Sequence, residues 1–313
     1  MTLKPFIFLC RFLSCLIGVA LAGAAKGGGK WNTRAPMLSS RTEVAAAEVG
    51  GKLYVIGGFG QGGELVEEYD PVKDRWQRRA SLPRALHHTT AVAVKAKLYV
   101  IGGFDSDWKP VNTVYEYEAS SDRWRVRASL PTPRGALAVG VIGEKIYAVG
   151  GVGTDGKNTA ANEEYDPLAD RWNKHAPLPT ARDHLAVGVM DGRLYAIGGR
   201  MHGNYRRNLA VNEEYDPAVG GWRPRAALPT ARSGIAAAVL GKEIFVFGGE
   251  SPSGTFNETE SYDLATNRWT TWAPMPTPRH GLGAAVVGGT IYVLSGGPKP
   301  GGSFSSLNEA FMP

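Results

Sequence analysis

Carboxylates and imidazoles stand immediately before short runs of small apolar residues: Glu43 before VAAAEV, His87 and His88 before TTAVAV, Asp183 and His184 before LAVGVM, and His280 before GLGAAVV. Groups of these two kinds, brought together, can exchange protons near neutral pH, which is general acid-base chemistry. Glu43, Asp183, His184 and Glu250 are the catalytic candidates on that reading. The competing reading makes them solvated loop polars. No spacing ties the histidines to a common ion, so no metal and no other cofactor is expected.

A second set is periodic. An arginine follows a tryptophan by ten residues at Arg41, Arg134, Arg182, Arg232 and Arg279. A ring of guanidinium groups could hold a carboxylate-bearing ligand. The plainer reading has each arginine donating to loop carbonyls or to a neighbouring carboxylate. One copy breaks the pattern, since LPRALHH set against LPTARDH puts Leu86 in the arginine slot and leaves Arg84 two residues early. Together with these five arginines, the ligand-binding candidates are His88, His280, Trp108, Arg200 and Tyr205. The last three lie on loops of differing length, where variable chemistry is commonly placed.

The elements that must position these groups are announced by repetition. Tryptophans fall at 31, 76, 124, 172, 222 and 269, about 45 to 50 residues apart. In the same register a diglycine closes an apolar run, as in LYVIGG (53–58), IYAVGG (146–151) and IFVFGG (244–249), and an acidic-aromatic cluster such as EEYD follows it. Forty-one Gly and 20 Pro exclude long helices and suit short strands joined by turns. Each unit parses into four strands: a small-residue strand, the strand ending in diglycine, the EEYD strand, and one begun by the tryptophan. No helix follows any diglycine, which argues against a phosphate-cradling loop.

The ordered part opens with a lone fourth strand, WNTRAPM at 31–37, and ends with a third strand, LNEAFMP at 307–313. A ring would place the two in one sheet and leave no free edge. Diglycine, spaced tyrosine and spaced tryptophan in six registered units resemble the kelch repeat over residues 30–313. That resemblance implies an all-β, six-bladed β-propeller with four antiparallel strands per blade, the last blade closed by the N-terminal strand. Ser295 stands where the first glycine of the last copy is expected, and Phe311 replaces its tyrosine. Among kelch-like enzymes, a galactose-oxidase site is excluded because it needs a cysteine. A distant resemblance to sialate mutarotase propellers implies, as an alternative function, a sugar-acid mutarotase or epimerase.

Lys4 and Arg11 precede FLSCLIGVALAGAA, a pattern expected of a secretory signal over residues 1–25, with an uncleaved anchor over Pro5 to Ala25 as the alternative. A flexible Gly-rich leader at 26–30 and a single propeller domain at 31–313 follow. The chain is therefore expected to be exported, to the periplasm or beyond, with no membrane association other than the signal. Cys10 and Cys15 are its cysteines and both lie in that segment, so the mature domain has no disulfide and no thiolate chemistry. Loss of Lys4 and Arg11 takes the formal charge from +6 to +4, with no basic run that would suit nucleic acid. The expected function is that of a monomeric binding module taking a protein, glycan or sugar-acid ligand on its variable loop face.

Overall fold

The computed structural model describes residues 25–313, and the expected signal lies outside them save for its last residue. Six blades of four antiparallel strands surround one axis, and in the fifth a further short strand, Ala25–Lys26, pairs parallel along the outer edge. Blade 1 consists of Ala45–Val49, Lys52–Ile56, Val66–Asp70 and Arg75–Arg78, from the axis outward. Blades 2 to 5 repeat this order, with inner strands Thr90–Val94, Ala138–Ile142, Ala186–Met190 and Ala236–Leu240. In blade 6, Gly283–Val287, Thr290–Leu294 and Asn308–Met312 are completed by Lys30–Thr33 from the other end of the chain. Trp31 lies opposite Phe311 in that closing pair, as the repeat order predicts.

The inner strands are small-sided because they crowd. A Cβ added at Gly140 would lie 2.5 Å from the Val189 side chain of the next blade, and one at Gly188 would meet Ile244 at 2.5 Å. Six buried apolar clusters form the core, one at each interface between neighbouring blades. The repeating tryptophan latches each interface from outside: the indoles of Trp31, Trp76, Trp124, Trp172, Trp222 and Trp269 each donate to an alanine carbonyl of the preceding blade at 2.8–2.9 Å. The diglycine has a packing role. Gly150 takes φ +66°, and a Cβ there would lie 2.7 Å from the Arg182 carbonyl of the next blade. Ser295, at φ 62°, keeps the same left-handed backbone, and its hydroxyl donates to the Arg41 carbonyl across the seam.

The leader expected to be flexible does not hang free. Gly27 donates to the Thr271 carbonyl at 2.8 Å, and Gly28 accepts from Ala273, along the outer strand of blade 5.

Candidate functional site

In every blade, the segment leading into the inner strand pairs with the loop after the diglycine: Thr42 with Phe59, His87 with Phe104, Gly135 with Val152, Asp183 with Arg200, Ser233 with Glu250, and His280 with Gly297. These pairings put the loops nominated from sequence on one face. One residue further on, each blade turns toward the axis through a left-handed residue: Glu43, His88, Ala136, His184, Gly234 and Gly281, all with φ between 50° and 68°. Their backbones form a closed circle. His88 donates to the Glu43 carbonyl, Ala136 to His88, His184 to Ala136, Gly234 to His184 and Gly281 to Gly234, and Val44 completes it by donating to Gly281 at 3.4 Å.

Glycine is inexpensive at such positions, whereas alanine, glutamate and histidine are each strained there by roughly 1–3 kcal/mol. Three ionisable residues held on a circle where two blades use glycine mark it as the candidate site. Their side chains border an axial cavity of about 170 Å³ lined below by the small inner strands. His88 and His184 also line a second cavity of about 380 Å³ toward the loops, with Phe104, Trp108, Thr154 and Arg200. The two imidazoles thus stand between the cavities.

Hydrogen bonds fix the protonation pattern. Burial between Phe59 and Phe104 pushes His87 down to about 4, and burial pushes His88 down to about 3 against the attraction of Glu43, so both are neutral at physiological pH. His87 Nε2 faces the Asp105 carbonyl at 3.0 Å and must donate. Its Nδ1 then accepts from His88 Nδ1 at 2.7 Å, which leaves His88 Nε2 without a proton, 3.4 Å from Glu43 Oε2. His184 Nδ1 lies 2.5 Å from Asp183 Oδ1, and Arg200, which can only donate, reaches His184 Nε2 at 2.8 Å. The His184 proton is therefore on Nδ1. His280 faces Glu43 Oε1 at 3.2 Å and the Lys299 carbonyl at 3.1 Å, so both of its nitrogens donate, and the carboxylates of Glu43 and Glu250 outweigh burial to raise its pKa.

Burial alone would raise the Glu43 carboxyl, but His88, once acid protonates it, and His280, through its hydrogen bond, hold it well below the usual carboxylate range. Burial opposes ionisation of Asp183 too, and His184, Arg200 and Asn158 bring it to about 2. Arg200 bonds Glu250 at 2.6 Å and Asp183 at 3.2 Å, and sits beneath the Tyr205 ring at 5.9 Å. Three carboxylates, Glu43, Asp183 and Glu250, thus face two cations, Arg200 and His280. The site is anionic by one charge.

The five repeating arginines, nominated as ligand contacts, are corrected by this geometry. Arg41, Arg134, Arg182, Arg232 and Arg279 are wholly buried inside their own blades. Arg182 donates to the carbonyls of Thr180, Ala196 and Gly198 and to Glu213 of the third strand at 2.6 Å. Arg134 does the same with Thr132, Ala148 and Glu163. The carboxylate belongs to the same blade rather than to a neighbour. In blade 2 the slot residue Leu86 and its counterpart on the third strand, Tyr115, pack together in one apolar cluster. Arg84 instead pairs with Asp105, anchoring the loop that carries Trp108.

Glu43, Asp183, His184 and Glu250 converge as a group, together with His88, His280 and Arg200. Trp108 is more than half exposed on the rim, at φ 59°, tilted against Phe59 and edge-on to His87. Sequence reasoning missed one property: ligand atoms of Glu43, His88 and His184 lie within 4.8 Å of one another, although the three are spread over 142 residues. Their shared place before the inner strand was visible, but the distance across the axis was not.

Unfolding exposes two histidines that the fold keeps neutral. Their folded pKa values lie below the ordinary 6.5, so this stability is present above about pH 6.5 and is lost as pH falls toward 4 and then 3. His280 has the opposite sign, its share being lost only as pH rises through its raised pKa. Denaturant unfolding at pH 7, 6, 5 and 4 should show a decline of about 1–3 kcal/mol per pH unit below 6. His88→Asn, which tolerates the left-handed backbone, should flatten it; an unchanged slope would contradict this protonation pattern.

A family model for the kelch repeats of KLHDC2, KLHL20 and DRC7 matches residues 43–223 and 177–311. No curated protein matches the chain. Among solved structures, that of YjhT is similar with a TM-score of 0.77, at 16% identity, covering 87% of this chain and 95% of that one.

Proposed function

This chain belongs to the kelch-repeat family of β-propellers, and we propose that it is an exported binding module whose ligand is a neutral, hydroxyl-rich molecule such as a glycan end. The observation that carries the reading is the loop-side cavity, with an aromatic rim at Trp108 and Phe104 above a floor of hydrogen-bonding His184 and Arg200. An apolar face offered beside fixed donors and acceptors suits a sugar ring, which has one C–H face and hydroxyls at its edge. The charge tally argues against an acidic ligand, because Arg200 is already engaged by two carboxylates.

A second reading has one observation in its favour. His184, held by Asp183, lines the loop-side cavity, and Glu43, held by His280, borders the axial cavity that adjoins it, so a base and an acid stand in one cluster, which is what opening and closing a sugar hemiacetal requires. A mutarotase is therefore the alternative, acting on a neutral sugar more readily than on a sugar acid.

A thermal-shift screen against neutral sugars, amino sugars and sugar acids, followed by calorimetry on each hit, tests both. A neutral sugar is expected to bind, with Trp108→Ala weakening it tenfold or more, about 1.4 kcal/mol. Preference for a sugar acid over its neutral counterpart would overturn the charge argument. NMR exchange between anomers of a bound sugar decides the alternative: exchange no faster than without protein would end it.

A further inference from the structure

We propose that Glu43, His88 and His184 form a binding site for one divalent transition-metal ion of the zinc or ferrous class, at the loop-side end of the propeller axis. The site shares His184 and Arg200 with the sugar reading, whose charge tally holds for the metal-free protein, and its test uses no sugar.

The first ground is the spacing of two ligand atoms. The His88 side chain is 94% buried, its Nδ1 lies 2.7 Å from His87 Nδ1, and its Nε2, which makes no hydrogen bond, stands 3.4 Å from Glu43 Oε2. Atoms 3.4 Å apart, each about 2.0–2.1 Å from a shared ion, subtend about 110° at it, close to the tetrahedral angle. His184 completes the set within 4.8 Å, so its closure onto the ion takes a shift of at most about 1.3 Å and exchange of the Arg200 contact at Nε2.

The second ground is what holds each group from behind. His88 Nδ1 is bonded to His87, His184 Nδ1 to the Asp183 carboxylate, and Glu43 Oε1 to His280. Metal-binding imidazoles characteristically donate their other nitrogen in this way, which orients the ring and fixes the tautomer. All three would-be ligands show it, and all three occupy left-handed positions where other blades use Gly or Ala. Two imidazoles and one carboxylate, without thiolates, suit Zn²⁺ or Fe²⁺ and leave coordination positions free beside the cavities. The ion would bring the local charge from −1 to +1.

Chelator-treated protein titrated with ZnCl₂ by calorimetry should take up one ion per chain, and CoCl₂ should give the visible absorption of a four- or five-coordinate ion. Glu43→Gln and His88→Asn should each weaken uptake tenfold or more, while His202→Gln on the exposed loop should not. Should either variant fold poorly, proton NMR of the unaltered protein with Co²⁺ provides the same test. The imidazole signals of His88 and His184 should shift or broaden, and those of His175 at the outer edge should stay sharp. Uptake of no ion at millimolar ZnCl₂, uptake unaffected by both substitutions, or Co²⁺ effects confined to His175 and His202 would each overturn the site.

Discussion

Replacing Arg182 with alanine is expected to destabilise the protein by about 3–5 kcal/mol, read as a lower urea midpoint at unchanged slope. The guanidinium is wholly buried, and it is the shared donor for three carbonyls and the Glu213 carboxylate. Alanine leaves that carboxylate without its cation and the carbonyls without partners, in a site water does not reach. The ion pair as a whole need not be stabilising relative to an apolar pair of similar volume. Blade 2 contains that substitution already, with Leu86 and Tyr115 in the two slots. The double variant Arg182→Leu with Glu213→Tyr should therefore recover most of what Arg182→Ala loses. A single variant within about 0.5 kcal/mol of the unaltered protein would mean that the buried arginines do not hold the blades together.

Trp31→Ala is expected to cost about 3 kcal/mol or more, because it loosens the only covalent break in the ring. The Trp31 ring packs at 4.8 Å from Phe311 and 5.9 Å from Phe247, and its indole donates to Ala273 of blade 5. It therefore holds the closing strand both to its own blade and to the preceding one. Removing residues up to 33 should do more. Asn308–Met312 would become an open strand edge, and chains exposing such an edge pair with one another. Size-exclusion chromatography should show the truncated protein as aggregates and Trp31→Ala as a monomer with a lowered melting temperature. A truncated chain that remains monomeric and melts normally would contradict closure by this strand.

Much of the architecture was legible because the repeat states one packing problem six times. Tryptophan, diglycine and EEYD each recur for a reason that acts within a blade or between nearest neighbours, so their spacing sufficed to count blades and locate the seam. The site was legible only in part. Glu43, His88 and His184 stood out as departures from Gly and Ala in a shared slot. Their mutual distances depend on how six strands converge on an axis, which no local pattern encodes. For the arginines the plainer reading held in part: recurrence in nearly every blade signals a scaffold task, and burial overturns their nomination as ligand contacts. The Arg–Glu partnership was nevertheless open to inspection in the sequence, since blade 2 lacks both members together, with Leu86 and Tyr115 in their places.

The most direct test of the loop-side cavity as the ligand site is the indole N–H resonance of Trp108, assigned by its loss in Trp108→Phe and followed as a sugar identified by screening is added. That resonance should move with the ligand while the latch indoles of Trp76, Trp124, Trp172 and Trp222 stay in place, and His184→Gln should weaken the titration at least tenfold. Movement of the latch indoles with Trp108 unmoved would put the ligand on another surface and contradict the assignment.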